Sequence, residues 1–136
     1  MGDRPEADAT PPIRLLLVDD EADFAAVLAK RLGRRGIAAT VAHDGTAAIQ
    51  LLRHRDFDVA VLDLKMEGLD GIQVLKIFQT MAPEMPVIML TGHGCAISAE
   101  EGRAHGAYDY LSKPYDLEAL TGKIREAVRR GRSSHD

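Results

Sequence analysis

Short apolar runs alternate with amphipathic segments along most of the chain. The runs resemble strands that are buried on both faces of a sheet, and they cover residues 13–18, 37–43, 58–63, 86–91 and 108–113. The segments between and after them place apolar residues at helical spacing and predict helices over residues 21–36, 45–55, 71–83, 96–107 and 116–130. The prediction for 96–107 is the weakest, because Gly102 lies inside it.

Two of these helices have well-defined apolar patterns. In the first, the apolar residues at helical spacing are Phe24, Val27, Leu28 and Leu32. Gly36 is predicted to end this helix, since glycine is common just beyond a helix C-terminus. In the third, Ile72, Leu75 and Phe78 share one face, and Pro83 marks the stop.

The alternation of strand and helix predicts the fold class. Parallel strands joined by helices that cover both faces form an α/β sheet. We expect a doubly wound, five-stranded parallel sheet of the flavodoxin-like kind, with strand order 2-1-3-4-5. In such sheets ligands bind at the carboxyl ends of the strands, beside the point where the strand order reverses.

Length and composition limit the classes of protein. The 136 residues fit one domain, predicted over 13–130, between flexible tails at 1–12 and 131–136. No apolar stretch approaches membrane-spanning length. The single cysteine, Cys95, cannot form an internal disulfide, which favours a reducing, cytoplasmic location. The net charge of −4 argues against direct nucleic-acid binding by the whole surface.

Polar residues follow the predicted strands where those strands end. Asp19 and Asp20 follow the first strand, and Asp63 ends the third. Thr91 ends the fourth strand and Lys113 ends the fifth. In the predicted fold, these three carboxylates, one hydroxyl and one ammonium gather at one edge of the sheet.

Three clustered carboxylates repel one another and need a compensating cation. Oxygen ligands of this kind suit Mg²⁺, which also engages phosphate groups. A carboxylate with an ammonium and a hydroxyl beside it can act as a nucleophile that becomes an aspartyl phosphate. Each residue also has an ordinary structural interpretation: the aspartates and Thr91 as caps or turn residues, and Lys113 as a solvated side chain.

Four motifs carry a resemblance to a known family. They are VDDE at Val18 to Glu21, VLDLKMEGLDG at Val61 to Gly71, LTGHG at Leu90 to Gly94 and GAYDYLSKP at Gly106 to Pro114. With them the chain resembles the receiver domain of two-component response regulators, from about Ile13 to about Arg130. The sequences of the last two motifs are most similar to those in receivers of the sigma-54 activator branch.

The resemblance implies a role for each residue of the acidic cluster. Asp63 accepts a phosphoryl group from a phosphohistidine, on a sensor histidine kinase or a histidine phosphotransfer protein. Asp20 and Asp63 bind Mg²⁺ directly, together with the main-chain carbonyl of Lys65. Asp19 acts mostly through a water on the metal.

The resemblance also implies a switch. Thr91 donates its hydroxyl to the phosphoryl group, and Lys113 pairs with it. Tyr110 matches the aromatic residue that moves inward as the threonine engages the phosphate. The Lys113–Pro114 peptide bond is cis in the family.

Three positions bear on how this chain would differ from other receivers. Glu67 stands where the family usually has proline, which puts the loop geometry and the ion affinity in doubt. Lys65 and His93 occupy positions that tune how long the phosphoryl group survives in the family. An interpretation of both as ordinary exposed loop residues stays open.

We therefore predict a single-domain response regulator, a phosphoacceptor switch with self-catalysed phosphorylation and dephosphorylation rather than a turnover enzyme. Its expected output is contact with a downstream protein effector, as a monomer or weak homodimer. Two alternatives remain: a Mg²⁺-dependent phosphatase or phosphotransferase acting on small substrates through Asp63, and a receiver that binds partners without being phosphorylated.

Overall fold

A computed structural model describes residues 11–63, 71–91 and 103–133. One parallel sheet contains strands β1 (Ile13–Val18), β2 (Ile37–Ala42), β3 (Val59–Asp63), β4 (Val87–Thr91) and β5 (Asp109–Ser112). The described helices are α1 (Ala22–Gly33), α2 (Gly45–His54), α3 (Gly71–Met81) and α4 (Leu117–Ser133). The strand order is β2-β1-β3-β4-β5, so the predicted doubly wound sheet is confirmed.

Part of the sequence prediction falls outside the described residues. The helix predicted over 96–107 is one such case, because only its last residues are described. Residues 1–10 and 134–136, which belong to the two predicted tails, lie outside as well. Helix α4 continues to Ser133, beyond the predicted domain end at Arg130. The domain bounds therefore stay a prediction.

The sheet buries one apolar layer on each face. Alternate residues of a strand point to opposite faces, and β1 follows this rule: Leu15 and Leu17 pack on one side, Leu16 and Val18 on the other. The first layer also contains residues of α1 and α4: Leu28, Leu32, Leu120, Ile124 and Val128. The second contains residues of α2 and α3: Ala48, Ile72, Val74, Leu75 and Phe78. Burial on both faces explains why the strands are almost continuously apolar.

Helix α1 buries a different face from the one its most apolar residues suggest. Ala25, Leu28 and Leu32 face the core. Phe24 is 42% exposed and Val27 is 52% exposed. Since successive residues are about 100° apart around a helix, a buried face centred between Leu28 and Leu32 leaves Phe24 at its edge and turns Val27 to the solvent. The helix also ends at Gly33, before the predicted end at Gly36.

Gly36 has a structural role in the turn after α1. Its φ of 79° lies in the left-handed region, where a side chain would be strained. Its carbonyl oxygen accepts a hydrogen bond from the backbone nitrogen of Ile13 at 3.1 Å. The glycine thus lets the chain turn sharply into β2 beside the start of β1.

Among the described residues, no helix combines the length and the apolar character that a membrane crossing requires.

Replacing Phe78 by alanine should lower the free energy of unfolding by about 3–5 kcal/mol, because a fully buried aromatic ring would leave a cavity. Met81→Ala is a matched control on the same helix, since Met81 is 37% exposed, and it should cost far less. Urea unfolding measures both. Equal losses in the two variants would contradict the assignment of the buried face of α3.

Candidate functional site

The strand register brings the predicted residues to one edge of the sheet. Val18 pairs with Leu62, so Asp19 follows beside Asp63 at the end of β3. Asp63 in turn pairs with Leu90 of β4. Thr91 pairs with Ser112 of β5, and Lys113 is the next residue. Because all five strands are parallel, their carboxyl ends meet there, as in other doubly wound sheets.

Asp19 is completely buried. Its backbone nitrogen donates to the carbonyl oxygen of Ala42 at 2.9 Å, which extends the β1–β2 pairing by one residue. Its Oδ1 accepts a hydrogen bond from the backbone nitrogen of Glu21 at 2.9 Å, in the turn that leads into α1. Its Oδ2 is buried without a hydrogen-bond partner in the described part of the chain.

Asp63 and Lys113 form the central ion pair of the site. The Nζ of Lys113 donates to Oδ2 of Asp63 at 2.9 Å. The Asp63 side chain is 2% exposed and that of Lys113 is 23% exposed. A carboxylate this deeply buried is costly unless it is paired. Lys113 therefore compensates the charge of Asp63 while its own side chain stays partly exposed.

Carboxylate oxygens of Asp19, Asp20 and Asp63 lie within 4.8 Å of one another. Asp20 is exposed, whereas the other two aspartates are buried. Burial raises the pKa of Asp19 to about 6, and the nearby charge of Asp63 also raises it. The backbone hydrogen bond from Glu21 and the charge of Lys113 oppose this rise only in part. The three carboxylates thus bring together more negative charge than Lys113 alone can neutralise.

The donor set fits a hard divalent cation. Three carboxylates converge, and Oδ2 of Asp19 is a buried acceptor with no described partner. Buried polar atoms in native proteins rarely stay without one. Oxygen ligands of this number and charge match Mg²⁺, which is commonly held by one or two carboxylates and keeps several of its waters. The residues present therefore fit the predicted Mg²⁺ site.

Tyr110 lies on the edge strand β5, where it pairs with Met89 of β4. Its partly buried ring packs against the layer under α2 and α3. The guanidinium carbon of Arg103 lies 4.7 Å from the ring centroid, within the range of a cation–π contact. The structure therefore places the predicted switch aromatic beneath a positive charge.

Asp109 fixes the position of Arg103. The guanidinium of Arg103 pairs with Oδ1 of Asp109 at 3.3 Å, and Lys123 of α4 pairs with Oδ2 at 2.9 Å. Although burial opposes the shift, hydrogen bonds from Lys123, from the backbone of Tyr110 and from Arg103 lower the pKa of Asp109. Asp109 thus ties the edge strand to α4 and to the residue that stacks on Tyr110.

Several predicted site residues are only partly covered by the structure. Lys65, Glu67 and His93 lie outside the described residues. The backbone of Thr91 is described as the end of β4, but its side chain is not. The Lys113–Pro114 peptide bond is cis, as the resemblance implies.

Two residues near the site were not predicted from the sequence: Arg103 and Tyr115. Arg103 was part of a weakly predicted helix, and its stacking on Tyr110 depends on tertiary structure. Tyr115 follows the SKP sequence, and its hydroxyl oxygen is buried without a partner among the described groups. The sequence offered one signal for Tyr115: it follows Lys113 and Pro114 directly, so it lies close in the chain to a predicted site residue.

Comparisons with known proteins identify relatives over most of the chain. The family model described as the response regulator receiver domain matches residues 15–125. The chain is 37% identical over 118 residues to the transcriptional regulatory protein TctD of Salmonella typhimurium, covering 87% of this chain and 53% of TctD. It is 34% identical to the transcriptional regulatory protein GlrR of Escherichia coli, covering 92% of this chain and 28% of GlrR.

A solved structure supports the same assignment. The receiver domain of the Francisella response regulator 1452 aligns with a TM-score of 0.79 and 33% identity, over 87% of this chain and 98% of that one. By contrast, the chain spans about half or less of the length of TctD and GlrR. The match therefore covers a complete receiver domain, and only a part of those transcriptional regulators.

The raised pKa of Asp19 predicts a pH-dependent stability of the metal-free protein. The folded pKa of about 6 exceeds the ordinary 3.8, so the folded chain binds this proton more tightly than the unfolded chain between these values. The free energy of unfolding should therefore decrease as the pH rises from about 4 to about 6. Asp63, Lys113 and Glu21 are the charged groups that act on this carboxyl.

Asp19→Asn should remove that decrease and make the protein more stable than wild type above pH 6, because no charge develops in the buried position. Urea unfolding in the presence of a chelator, at several pH values, measures the difference between the two proteins. Asp20→Asn is the matched control at an exposed position and should keep most of the decrease. Parallel pH profiles for wild type and Asp19→Asn would contradict the prediction.

Proposed function

Because the chain belongs to the family of response regulator receiver domains, we propose that it accepts a phosphoryl group on Asp63 in a Mg²⁺-dependent reaction and switches a protein-interaction surface. The donor is a phosphohistidine on a sensor histidine kinase or a histidine phosphotransfer protein. The proposal rests mainly on one observation: the buried carboxylate of Asp63 accepts a hydrogen bond from Lys113 at 2.9 Å, within 4.8 Å of the other two carboxylates.

Asp63 is the nucleophile in this proposal. An oxygen of its carboxylate forms a bond to phosphorus while the phosphorus–nitrogen bond to the donor histidine breaks. The leaving imidazole nitrogen keeps the electron pair and takes up a proton. Asp63 lies at the end of a fully buried central strand, so its position is fixed before the donor arrives. Such preorganisation is a large part of what a protein contributes to phosphoryl transfer.

Asp19, Asp20 and Asp63 would hold the Mg²⁺, and the resemblance adds the carbonyl oxygen of Lys65. When bound, the ion neutralises charge on the phosphoryl oxygens and on the cluster. Lys113 supplies a second positive charge to the same oxygens, since its ammonium already lies beside Asp63. Thr91 is the proposed hydroxyl donor to the phosphoryl group, on the basis of its place at the end of β4.

The switch would follow from the new charge at the edge of the sheet. A phosphoryl group adds negative charge and acceptor oxygens, which attract Lys113 and Thr91. Tyr110 lies two residues before Ser112, the β5 residue that pairs with Thr91, and three before Lys113, so its ring would respond to their movement. The ring must then leave the guanidinium of Arg103. The result is a shift between two populations of the β5 surface.

The chain is proposed to act as a switch rather than as a turnover enzyme, catalysing only its own phosphorylation and dephosphorylation. Its output would be contact with a downstream protein effector, as a monomer or weak homodimer, without direct binding to nucleic acid. TctD and GlrR are transcriptional regulators by name. A receiver unit in this chain would influence such an output through protein contacts.

Incubation with a small phosphodonor and Mg²⁺ should add one phosphoryl group to the wild-type protein, and intact-mass spectrometry measures it. Asp63→Asn should abolish the addition, because the nucleophilic carboxylate is lost. A chelator should also abolish it. Asp58→Asn is a matched control just before the other end of β3, where Asp58 pairs with Arg14, and it should be phosphorylated like wild type. An unmodified, folded wild-type protein would contradict the proposed function.

Arg103→Ala should shift the switch towards its activated state. The cation–π contact stabilises the resting position of Tyr110 by about 0.5–1 kcal/mol, so its loss should increase the apparent affinity for beryllofluoride, a phosphoryl analogue, by about 2- to 5-fold. Tyrosine fluorescence during a titration with Mg²⁺ present measures this affinity. Lys123→Ala is the matched control, because it removes the other cation that pairs with Asp109 and keeps Arg103 stacked on the ring. Equal affinities in Arg103→Ala and wild type would refute the role of the stack.

A further inference from the structure

The hydroxyl oxygen of Tyr115 has no hydrogen-bond partner among the described groups although it is buried. Leaving such a group unsatisfied costs about 1–3 kcal/mol, and phenylalanine would fill the same space without this cost. Buried polar groups in proteins are normally satisfied by another protein group, an ordered water or an ion. The tyrosine hydroxyl therefore calls for a specific explanation.

The surroundings of Tyr115 place it between the core and the acidic cluster. Its ring packs against the apolar layer under α1 and α4. It also lines a cavity of about 340 Å³ together with Phe24, Leu28 and Lys113, and the ammonium of Lys113 reaches from this cavity to Asp63. Burial raises the pKa of Tyr115 to about 12, and the charges of Asp19 and Asp63 contribute to the rise. The hydroxyl therefore lies within the electric field of the acidic cluster.

A second buried oxygen, on a residue whose charge acts on Tyr115, also has no partner among the described groups. Oδ2 of Asp19 is unpaired among the described groups, whereas its Oδ1 accepts from Glu21. A carboxylate oxygen can only accept hydrogen bonds, and a phenol oxygen can donate or accept. A water needs two to four polar partners in a buried position. One water between the two oxygens would satisfy both.

We propose that Tyr115 is a positioning residue of the cation site, and that its hydroxyl and Oδ2 of Asp19 together hold one water of the hydration shell of the divalent cation. This inference rests on the proposed function, because it assumes that the acidic cluster binds Mg²⁺. Mg²⁺ keeps several of its waters when proteins bind it. Groups that hydrogen-bond to a metal ligand, without contacting the metal, affect metal affinity markedly.

The role of Tyr115 is limited to orientation. Its hydroxyl does not contact the phosphoryl group or the nucleophile. By fixing a water that Asp19 also holds, it keeps the buried carboxylate directed at the ion. The contribution of Asp19 to cation binding then depends on a residue that follows β5, next to Lys113.

Isothermal titration calorimetry with Mg²⁺ alone tests the inference on the whole chain. Tyr115→Phe should raise the dissociation constant for Mg²⁺ by about 3- to 10-fold, because one hydrogen bond to a water of the ion's hydration shell is lost. Tyr108→Phe is the matched control, because Tyr108 packs against the same apolar layer; it should bind Mg²⁺ like wild type. A dissociation constant for Tyr115→Phe equal to that of wild type would overturn the inference.

Metal-free stability distinguishes a positioning role from a structural one. Without Mg²⁺, Tyr115→Phe should melt at the same temperature as wild type or higher, since an unsatisfied hydroxyl is removed. A lower melting temperature with an unchanged dissociation constant would show that the hydroxyl is structural, against the inference. The near-ultraviolet difference spectrum of wild type on Mg²⁺ addition gives independent evidence. It should contain a tyrosine signal that Tyr108→Phe keeps and Tyr115→Phe loses or strongly reduces.

Measurements on the wild-type protein distinguish failure of the inference about Tyr115 from failure of the proposed function. If wild type binds Mg²⁺ and is phosphorylated on Asp63, but Tyr115→Phe binds the ion equally well, the inference fails and the proposed function stands. If wild type binds no Mg²⁺, both fail.

Discussion

The arrangement of the site depends on the repulsion among three carboxylates held within 4.8 Å of one another. Two of them are buried, and one described lysine pairs with the cluster at 2.9 Å. Such a cluster is unfavourable in isolation, since burial and like charges both oppose ionisation. The raised pKa of Asp19 is the direct consequence. An added cation relieves the repulsion, and an added phosphoryl group gives Lys113 a second anion to pair with.

The unfavourable free energy of the carboxylate cluster is offset by the burial of apolar residues on both faces of the sheet. Strands β1 and β3 lie in the centre of the sheet and are buried on both faces. Their backbone positions are fixed by pairing on both sides, so Asp19 and Asp63 cannot move apart to relieve their repulsion. The carboxylates are therefore held at a spacing set by the strand register. Charge compensation must come from groups that can move, and Lys113 is one of them.

The sequence was sufficient to predict the topology and the composition of the cluster, but not the contacts around it. Apolar runs identify the strands, and parallel strands place Asp19, Asp63 and Lys113 at one edge whatever the details of packing. The exposure of Phe24 could not be predicted, because it depends on which face of α1 meets the sheet. The stacking of Arg103 on Tyr110 depends in the same way on how the residues before β5 pack against this edge strand.

The position of β5 explains why a change at Asp63 should be transmitted through that strand. Among the described strands β5 pairs with β4 alone; it contains four residues, and none of them is fully buried. Strand β3, by comparison, pairs on both sides and is buried throughout. A force between the proposed phosphoryl site and Lys113 would therefore meet less resistance in β5 than in the centre of the sheet. Tyr110 lies on this strand and Tyr115 follows it, so the same movement of Lys113 would act on the proposed switch ring and on the loop beside the proposed cation site.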